Sequence, residues 1–585
     1  MKEQIRKLIL GAMEKLYPEY KDIEFSVHYP PAGVDADFAS NIAMVLAKKI
    51  GKPPMDVAEE ISGKLKVESK KLEGRGKADL FEITVAKPGF LNFKLTRRAL
   101  TENLNTIISK PSSYGAVDLG QGKPAIVEYF QLNIAKLPHV GHLRSAVIGD
   151  SLKRILKFSG YKVISDTHVG DWGTQVGSMI CAYKNERDKG VSEAKFEPSV
   201  AEYTKLYAEQ NKLIEKEPWR RDNAKKEFVK LERGDTENRK IWESMRKLST
   251  QELESYVQRL GLLSFDYNLG ESFYEGKMPV ILKRLEKADL LVIGETGEKY
   301  VDLEKYGLGR LICVKSDGGT TYEMRDLATL AYRYDELAKE QMSELAWNLY
   351  VVDTRQAHDF KQVFKTMELL GYDISKSKHV DFGFMSLPEG AISTRKGNAI
   401  SLETLVEEAK KRALEIIKQK NPDLKNKEQV AEQVALAAIK YGDLKHNRKS
   451  DIVFDWDTAL SFEGDTGPYL QYTYARLCSI LRKVGERLGK NLDEVLIGQA
   501  EVAMLRKLAL FPDKITDAAI EFLPSILAEY LFELAGVANG FYQSSPVMQE
   551  KDKKVRSLRL ALVAAAVSVL KIGLGLLGIE APEEM

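Results

Sequence analysis

Ala125-Ile-Val-Glu-Tyr-Phe130, followed by Asn133-Ile-Ala-Lys-Leu-Pro-His-Val-Gly-His142, decides how the rest of this chain is read. The first six residues have the apolar run of a short buried strand. Beyond His142, Leu143, Val147, Ile148, Leu152, Ile155 and Leu156 recur at helical spacing as far as Gly160. Tyr161-Lys-Val-Ile-Ser165 has the pattern of the next strand. Strand, loop, helix and strand predict a parallel α/β unit, whose functional loops lie at the carboxyl ends of the strands. A helix N-terminus placed there favours a phosphate. His139 and His142 can donate hydrogen bonds to a polyphosphate, and Gly141 lets the backbone approach with no side chain in the way.

At 585 residues the chain is too long for one core, so two to four domains are expected. A composition 44% hydrophobic and 29% charged is that of a globular protein. The formal net charge of +2 neither demands nor excludes nucleic acid, which needs a basic face and not a basic total. Cys181, Cys313 and Cys478 are scattered, which argues against a zinc knuckle or a disulfide scaffold and fits a reducing cytosol. The start lacks the apolar core of a signal peptide. Leu558–Ile579 is apolar, but Arg559 and Lys571 interrupt it and three glycines punctuate its end, so a buried bundle helix is expected. These features together predict a cytoplasmic protein with no membrane partner.

Far downstream, Ile392-Ser-Thr-Arg-Lys-Gly-Asn398 follows the strand-like Val380-Asp-Phe-Gly-Phe-Met385. Small hydroxyls and two adjacent cations suit a loop that closes on a charged ligand. With this pair of elements the sequence resembles a class I aminoacyl-tRNA synthetase, and specifically the arginyl-tRNA synthetase family. His139-Val-Gly-His142 matches the "HIGH" motif, and Ile392-Ser-Thr-Arg-Lys-Gly397 looks like a relaxed "KMSKS". The resemblance runs from about residue 80 to the C-terminus, with a weaker trace before it.

The resemblance implies an N-terminal α/β domain over 1–118 that leans on the tRNA elbow. A Rossmann-type catalytic domain with insertions follows over 119–424, and an α-helical anticodon-binding bundle over 425–585. Asp37-Phe-Ala-Ser-Asn-Ile-Ala43 and Pro88-Gly-Phe-Leu-Asn-Phe93 carry the first, although Phe38, Phe90 and Phe93 read more readily as core than as stacking platforms. The charged helical stretch Tyr203–Lys247 reads as part of the insertions. Phe462-Glu-Gly-Asp-Thr-Gly-Pro-Tyr-Leu-Gln-Tyr-Thr-Tyr-Ala-Arg476, Phe541–Val547 and Leu576–Glu583 carry the bundle. Tyr472, Tyr474 and Arg476 either meet unstacked anticodon bases or pack between helices.

The reaction so implied joins L-arginine to tRNA(Arg) through an arginyl-adenylate, with ATP as the energy source and Mg²⁺ arriving with the nucleotide. No metal site of the protein's own is expected, and the family expectation is a monomer. Adenylate formation needs in-line alignment and neutralisation of phosphate charge more than proton chemistry. His139, Gly141, His142 and Lys396 are assigned to ATP, with Lys136 and Arg395 joining them as catalytic cations. Thr394 stands where most class I enzymes carry the second loop lysine, and Lys136, just ahead of His139, supplies a cation from the opposite side.

A guanidinium needs acceptors set to meet a flat fork of donors. Tyr322-Glu-Met-Arg-Asp326 matches the family's Tyr-x-x-x-Asp arginine element, one helical turn apart, after Asp317-Gly-Gly. Glu128, Gln131, Leu132, Asn133, His142 and Gln356 complete the expected arginine set. Two positions depart from the family: Gln131-Leu132 replaces a small-residue run, and His358 falls one place before the family histidine, where Asp359 stands. Gly170-Asp-Trp-Gly-Thr-Gln175 is either a Gly-rich turn over a buried Trp or a contact of Asp171 or Gln175 with the tRNA acceptor end. The resemblance also implies that arginine activation requires bound tRNA, with Ser401–Lys420 as a helix connecting the closing loop to the helical domain.

Overall fold

The computed structural model describes residues 1–585 apart from 32, 74–79, 189–197, 342–343, 388–389, 392–400 and 486–497. Its centre is a four-stranded sheet ordered Ser377–His379, Trp347–Tyr350, Pro124–Glu128, Lys162–Asp166, with every pairing parallel. Helix Val140–Phe158 links the two last-named strands, and the chain then returns to the opposite side of Pro124–Glu128. That reversal opens a crevice beside the carboxyl end of Pro124–Glu128, where ligands of open α/β sheets bind. Register sets Glu128 opposite Asp166 on one side and Tyr350 on the other. The strand stops at Glu128, short of the expected Phe130, because Phe130 turns to a left-handed φ of 59°. Its amide instead donates to Ser145 Oγ at 2.9 Å, which bends the chain towards the histidine turn.

Between Lys162–Asp166 and Trp347–Tyr350 lies the insertion. Helices Thr174–Arg187, Val200–Lys216, Arg220–Glu232 and Thr236–Arg259 come first, then a three-stranded antiparallel sheet over Leu291–Ile293, Lys299–Asp302 and Arg310–Val314. Ser199 and Glu202 form a reciprocal cap at the start of Val200–Lys216. Trp242 is a packing residue whose Nε1 donates to the Asp171 carbonyl at 2.8 Å, while Trp219 is exposed. After these helices the chain runs alongside Lys162–Asp166: Tyr267 bridges Asp166, and the Leu269 amide donates to Asp166 Oδ1 at 3.0 Å. This docking delivers Glu271 to the crevice.

The N-terminal part is a four-stranded antiparallel sheet, ordered Val27–His28, Phe38–Ser40, Phe90–Leu95, Phe81–Ala86, backed by helices including Lys2–Leu16 and Ile42–Ile50. Phe38 and Phe93 are fully buried in its core. Helix Arg97–Ser109, capped by Thr96, leads to Tyr114, whose ring stacks on Phe511 and whose hydroxyl donates to the Leu508 carbonyl.

The C-terminal part is helical: Lys427–Leu444, Gly467–Val484, Gln499–Ala509, Phe511–Glu521, Pro524–Ser544 and Lys553–Leu576. Lys553–Leu576 has the length and hydropathy of a membrane span, yet 61% of its most apolar stretch is buried inside the protein. The bundle grips the far face of Val140–Phe158. Arg144 pairs with Asp443 at 3.1 Å, both 1% exposed, and donates to the carbonyls of Ser450 and Arg448. Ser151 Oγ donates to the Leu576 carbonyl. The strand expected over Val380–Met385 is displaced to Met385–Leu387, which pairs with Gly390–Ala391 and Ile452–Val453. Residues before it are drawn off by other partners: the Val380 amide donates to the Tyr350 carbonyl, and the Gly383 amide to the Arg448 carbonyl.

Candidate active site

The histidine turn is a helix cap built from imidazoles. The Gly141 amide donates to His139 Nδ1 at 3.0 Å, and the His139 amide donates to His142 Nδ1 at 3.1 Å. Both Nδ1 atoms therefore accept, so each neutral ring carries its proton on Nε2, free to donate elsewhere. Burial lowers the pKa of His139, helped by Arg355 and Lys136, and brings that of His142 down to about 3. The two rings lie 3.9 Å apart between centroids. Two neutral donors at a helix N-terminus suit an anion without competing for its protons. Gly141 is required here, since a Cβ would stand 2.7 Å from the His139 ring.

The same cleft, about 500 Å³, is lined by Glu128, Gln131, Leu132, Asn133, His139, Gly141, His142, Tyr322, Asp326 and Gln356, all of the expected set. Its charge is acidic: Glu128, Glu271, Glu323, Asp326, Asp353 and Asp359 stand against Arg325 and Arg355. Burial, with Glu128, Glu271 and Glu323 nearby, pushes Asp326 up to about 7, while His168 pulls the other way. A carboxyl so placed ionises readily only when a cation arrives. Burial likewise raises Glu271, against the pull of Arg325, which lies 3.1 Å away.

Glu128 behaves differently. Burial works to raise it, but the Arg333 guanidinium and His168 bring it below the ordinary carboxylate range. Arg333, 1% exposed, donates to Glu128 and, at 3.2 Å, to Asp166, and lies over the Tyr350 ring. Gln131 Nε2 donates to the other Glu128 oxygen at 3.1 Å, and Ser145 Oγ lies within 3.2 Å of Gln131 Oε1. Glu128, Asp166 and His168 are the one cluster with metal-ligand spacing among the described residues. The Arg333 guanidinium already occupies its carboxylates, so this donor set does not fit a metal. Asn133 is exposed at the rim, with its Oδ1 against Gly170, where a Cβ would stand 2.3 Å away.

Other sequence-predicted residues lie elsewhere. Lys136 donates to Gln175 Oε1 at 2.8 Å and lies 4.0 Å over the Tyr207 ring. Asp171 is fully buried and accepts from the amide and hydroxyl of Ser272, which makes it structural. Arg395 and Lys396 lie outside the described residues. Helix Leu402–Lys420 begins where expected, and its Leu402 amide donates to the Pro138 carbonyl, tying it to the histidine turn. On Gly467–Val484, Tyr472 is 46% exposed and Arg476 lies 4.5 Å over the Tyr542 ring. Tyr474 is a correction: at 1% exposure it faces the bundle interior and offers no surface to a base.

Sequence reasoning missed His168, Glu271, Arg325, Arg333 and Asp359. Arg333 follows Asp326 by seven residues, two helical turns, a spacing that could have flagged it. Glu271 had no local signal, because a distant segment's docking places it. Asp359, not His358, lines the cleft.

Three family models match the chain: "tRNA synthetases class I (R), catalytic domain" over 103–456, "DALR anticodon binding domain" over 470–585, and "Arginyl tRNA synthetase N terminal domain" over 3–95. The arginine–tRNA ligase of Alkaliphilus metalliredigens is 39% identical over 562 residues, covering 96% of this chain and 95% of its own. That of Clostridium acetobutylicum is 37% identical over 585 residues, covering 100% and 99%. The solved arginyl-tRNA synthetase of Thermus thermophilus matches with a TM-score of 0.83 at 27% identity, covering 100% of both chains.

Proposed function

The chain belongs to the arginyl-tRNA synthetases and is an arginine–tRNA ligase of class I; from that premise we propose how its residues divide the work. The substrates are arginine, ATP and tRNA(Arg). Asp326 takes the guanidinium with Tyr322 and Glu128 beside it, Glu128 being held in place by Arg333 and Gln131. Asn133 and Gln356 at the rim hold the α-amino and carboxylate end, with Leu132 as apolar wall. The arginine carboxylate attacks the α-phosphorus, and pyrophosphate leaves. Nε2–H of His139 and His142 donates to the phosphate oxygens as charge builds on them, with Gly141 allowing close approach. A terminal ribose hydroxyl of tRNA then takes the arginyl group and AMP leaves.

Lys396 and Arg395 neutralise the pyrophosphate from the closing loop, and Lys136 adds a cation by leaving Gln175 for the triphosphate. Mg²⁺ would enter with ATP as its counterion and would add to the neutralisation of phosphate charge. The domains divide near 118 and 424, and the first leans on the tRNA elbow. Tyr472 and Arg476 face the anticodon. Arginine activation waits for tRNA, and the tie between Leu402 and the histidine turn gives the helical domain a route to the ATP site. Exchange of labelled pyrophosphate into ATP with and without tRNA(Arg) checks this; equal exchange refutes it. A cytoplasmic location, with which a buried apolar C-terminal helix and free thiols agree, completes the reading, and a monomer is the family expectation.

The observation that carries the assignment is one cleft holding both imidazole donors and Asp326 with five further carboxyl groups. His142→Ala tests it. Its turnover in adenylate formation should fall by about 3 kcal/mol, roughly a hundredfold or more, with a smaller change in the ATP Michaelis constant. A raised Michaelis constant alone would reassign His142 to ground-state binding.

A further inference from the structure

His168 stands just past the end of strand Lys162–Asp166, in the wall of the acidic cleft, and nothing above gives it a role. Its backbone is left-handed, with φ 44°, a conformation that a side chain disfavours unless its surroundings hold it there. The imidazole is 12% exposed, and Nδ1 lies 4.0 Å from Glu128 Oε2. That nitrogen has no hydrogen-bond partner among the described residues. The ring leans on Tyr274 with centroids 5.6 Å apart.

Carboxylates face it from every element packed around it. Glu128 and Asp166 come from the two neighbouring strands, Asp326 from helix Tyr322–Tyr332, Asp171 from the following loop and Glu271 from the helical turn Glu271–Tyr274. Among the described residues, three fixed cations oppose them: Arg333 on Glu128 and Asp166, Arg325 on Glu271 at 3.1 Å, and Arg246 on Asp171 at 3.3 Å. A guanidinium keeps its proton at any ordinary pH, so it cannot respond to a ligand. An imidazole can. Burial disfavours the charged ring, yet Glu128, Asp166 and Asp326 together hold its pKa above the ordinary value. In the empty site, then, an exchangeable proton rests among groups that await a cation.

We infer that His168 is a positioning residue that keeps a proton among the cleft carboxylates while the site is empty and releases it to solvent when the arginine guanidinium enters. Arginine capture is thereby coupled to proton release from this imidazole, in addition to that from Asp326. The proposal rests on the reading that the guanidinium binds at Asp326. The imidazolium loses its proton to solvent and becomes neutral, and the guanidinium takes the place of the lost positive charge. Two cations packed beside the same carboxylates repel one another, which drives the exchange. In the empty site the imidazolium offsets the charge of Glu128. A neutral amino acid of similar length brings no charge to displace it and meets an occupied electrostatic site.

The chain has seven histidines, few enough for imidazole carbons to be followed singly by NMR in the full-length enzyme. Histidine-labelled protein would be titrated between about pH 5.5 and 8.5 with and without saturating L-arginine, with His168→Gln identifying the signal. His168→Asn serves for identification if the glutamine variant does not fold. The His168 midpoint should fall by at least about one pH unit on saturation, a tenfold weaker hold on the proton. An unmoved midpoint, with arginine binding shown by calorimetry on the same sample, overturns the coupling and leaves the guanidinium assignment standing. Undiminished arginine binding by Asp326→Ala overturns that assignment, and the coupling falls with it.

Discussion

Two arginines are sealed inside this protein at 1% exposure, and they do opposite jobs. Arg144 meets Asp443 across the junction between the catalytic sheet and the helical bundle, and it also donates to two backbone carbonyls. Arg333 lies beneath the acidic cleft and spans Glu128 and Asp166, with one of those carboxylates also lining the cavity. The first pair is closed and joins two parts of the chain. The second shares a carboxylate with a site open to ligand, so its strength reads out as affinity. A buried ion pair is costly to assemble, and its use depends on what else can reach it.

The largest effect should come from the closed pair. Arg144→Met leaves Asp443 charged or forced to take up a proton in the interior, which should destabilise the protein by roughly 3–5 kcal/mol. Denaturant unfolding measures this, and replacing Asp443 by Leu in the same chain should recover much of the loss. If the single and double variants unfold alike, Arg144 is not what holds the junction.

Arg333→Lys should cost less in stability and more in function. Arg333 reaches both carboxylates through Nη2 while Nη1 donates to Asn348 Oδ1 at 3.3 Å and the plane lies over Tyr350, so an ammonium on a shorter stem forfeits part of this set, and losing a charged hydrogen bond costs about 1.5–3 kcal/mol. The arginine Michaelis constant should rise while that for ATP holds. An equal rise in both would make Arg333 a general support of the sheet.

How much of this could be read beforehand differs between the two regions. The strand, the histidine turn and helix Val140–Phe158 were legible because neighbours in sequence form them. Tyr322 and Asp326 were legible for the same reason, one turn apart on a helix. Glu271 was not, since the run beside Lys162–Asp166 that delivers it is a tertiary pairing without a local pattern. His168, between the strand and the Gly170–Gln175 run, had no signal, because nothing in a sequence announces a left-handed histidine. Tyr472 and Tyr474 sit two residues apart on one helix, and only its packing decides that the first is exposed and the second buried.

Acidity should separate the regions further. Asp326 is raised to about 7, so its folded form holds a proton that the unfolded chain gives up at lower pH. The sign follows: stability declines as pH rises from the unfolded value through about 7, and arginine capture improves over the same interval. Asp326→Asn should therefore make the empty enzyme more stable above neutrality, on the order of 1 kcal/mol in an open cleft. Melting scans at about pH 6 and 8 check it, and a variant no more stable at either pH removes the argument. Smallest of all should be the coupling between Lys136 and Lys396: a double-alanine cycle on adenylate formation should give more than about 0.5 kcal/mol if both reach one triphosphate. Strict additivity would leave Lys136 with Gln175 and Tyr207, where the structure places it.

The most direct test is steady-state charging of tRNA(Arg) by Asp326→Ala across arginine and ATP concentrations. Losing the charged partner of a desolvated guanidinium should cost roughly 2–5 kcal/mol, read as a 30-fold to several-thousand-fold fall in kcat/KM for arginine. The ATP Michaelis constant should stay within about twofold. A variant that charges arginine with unchanged kcat/KM would contradict the account, because the guanidinium would then be recognised somewhere other than this cleft.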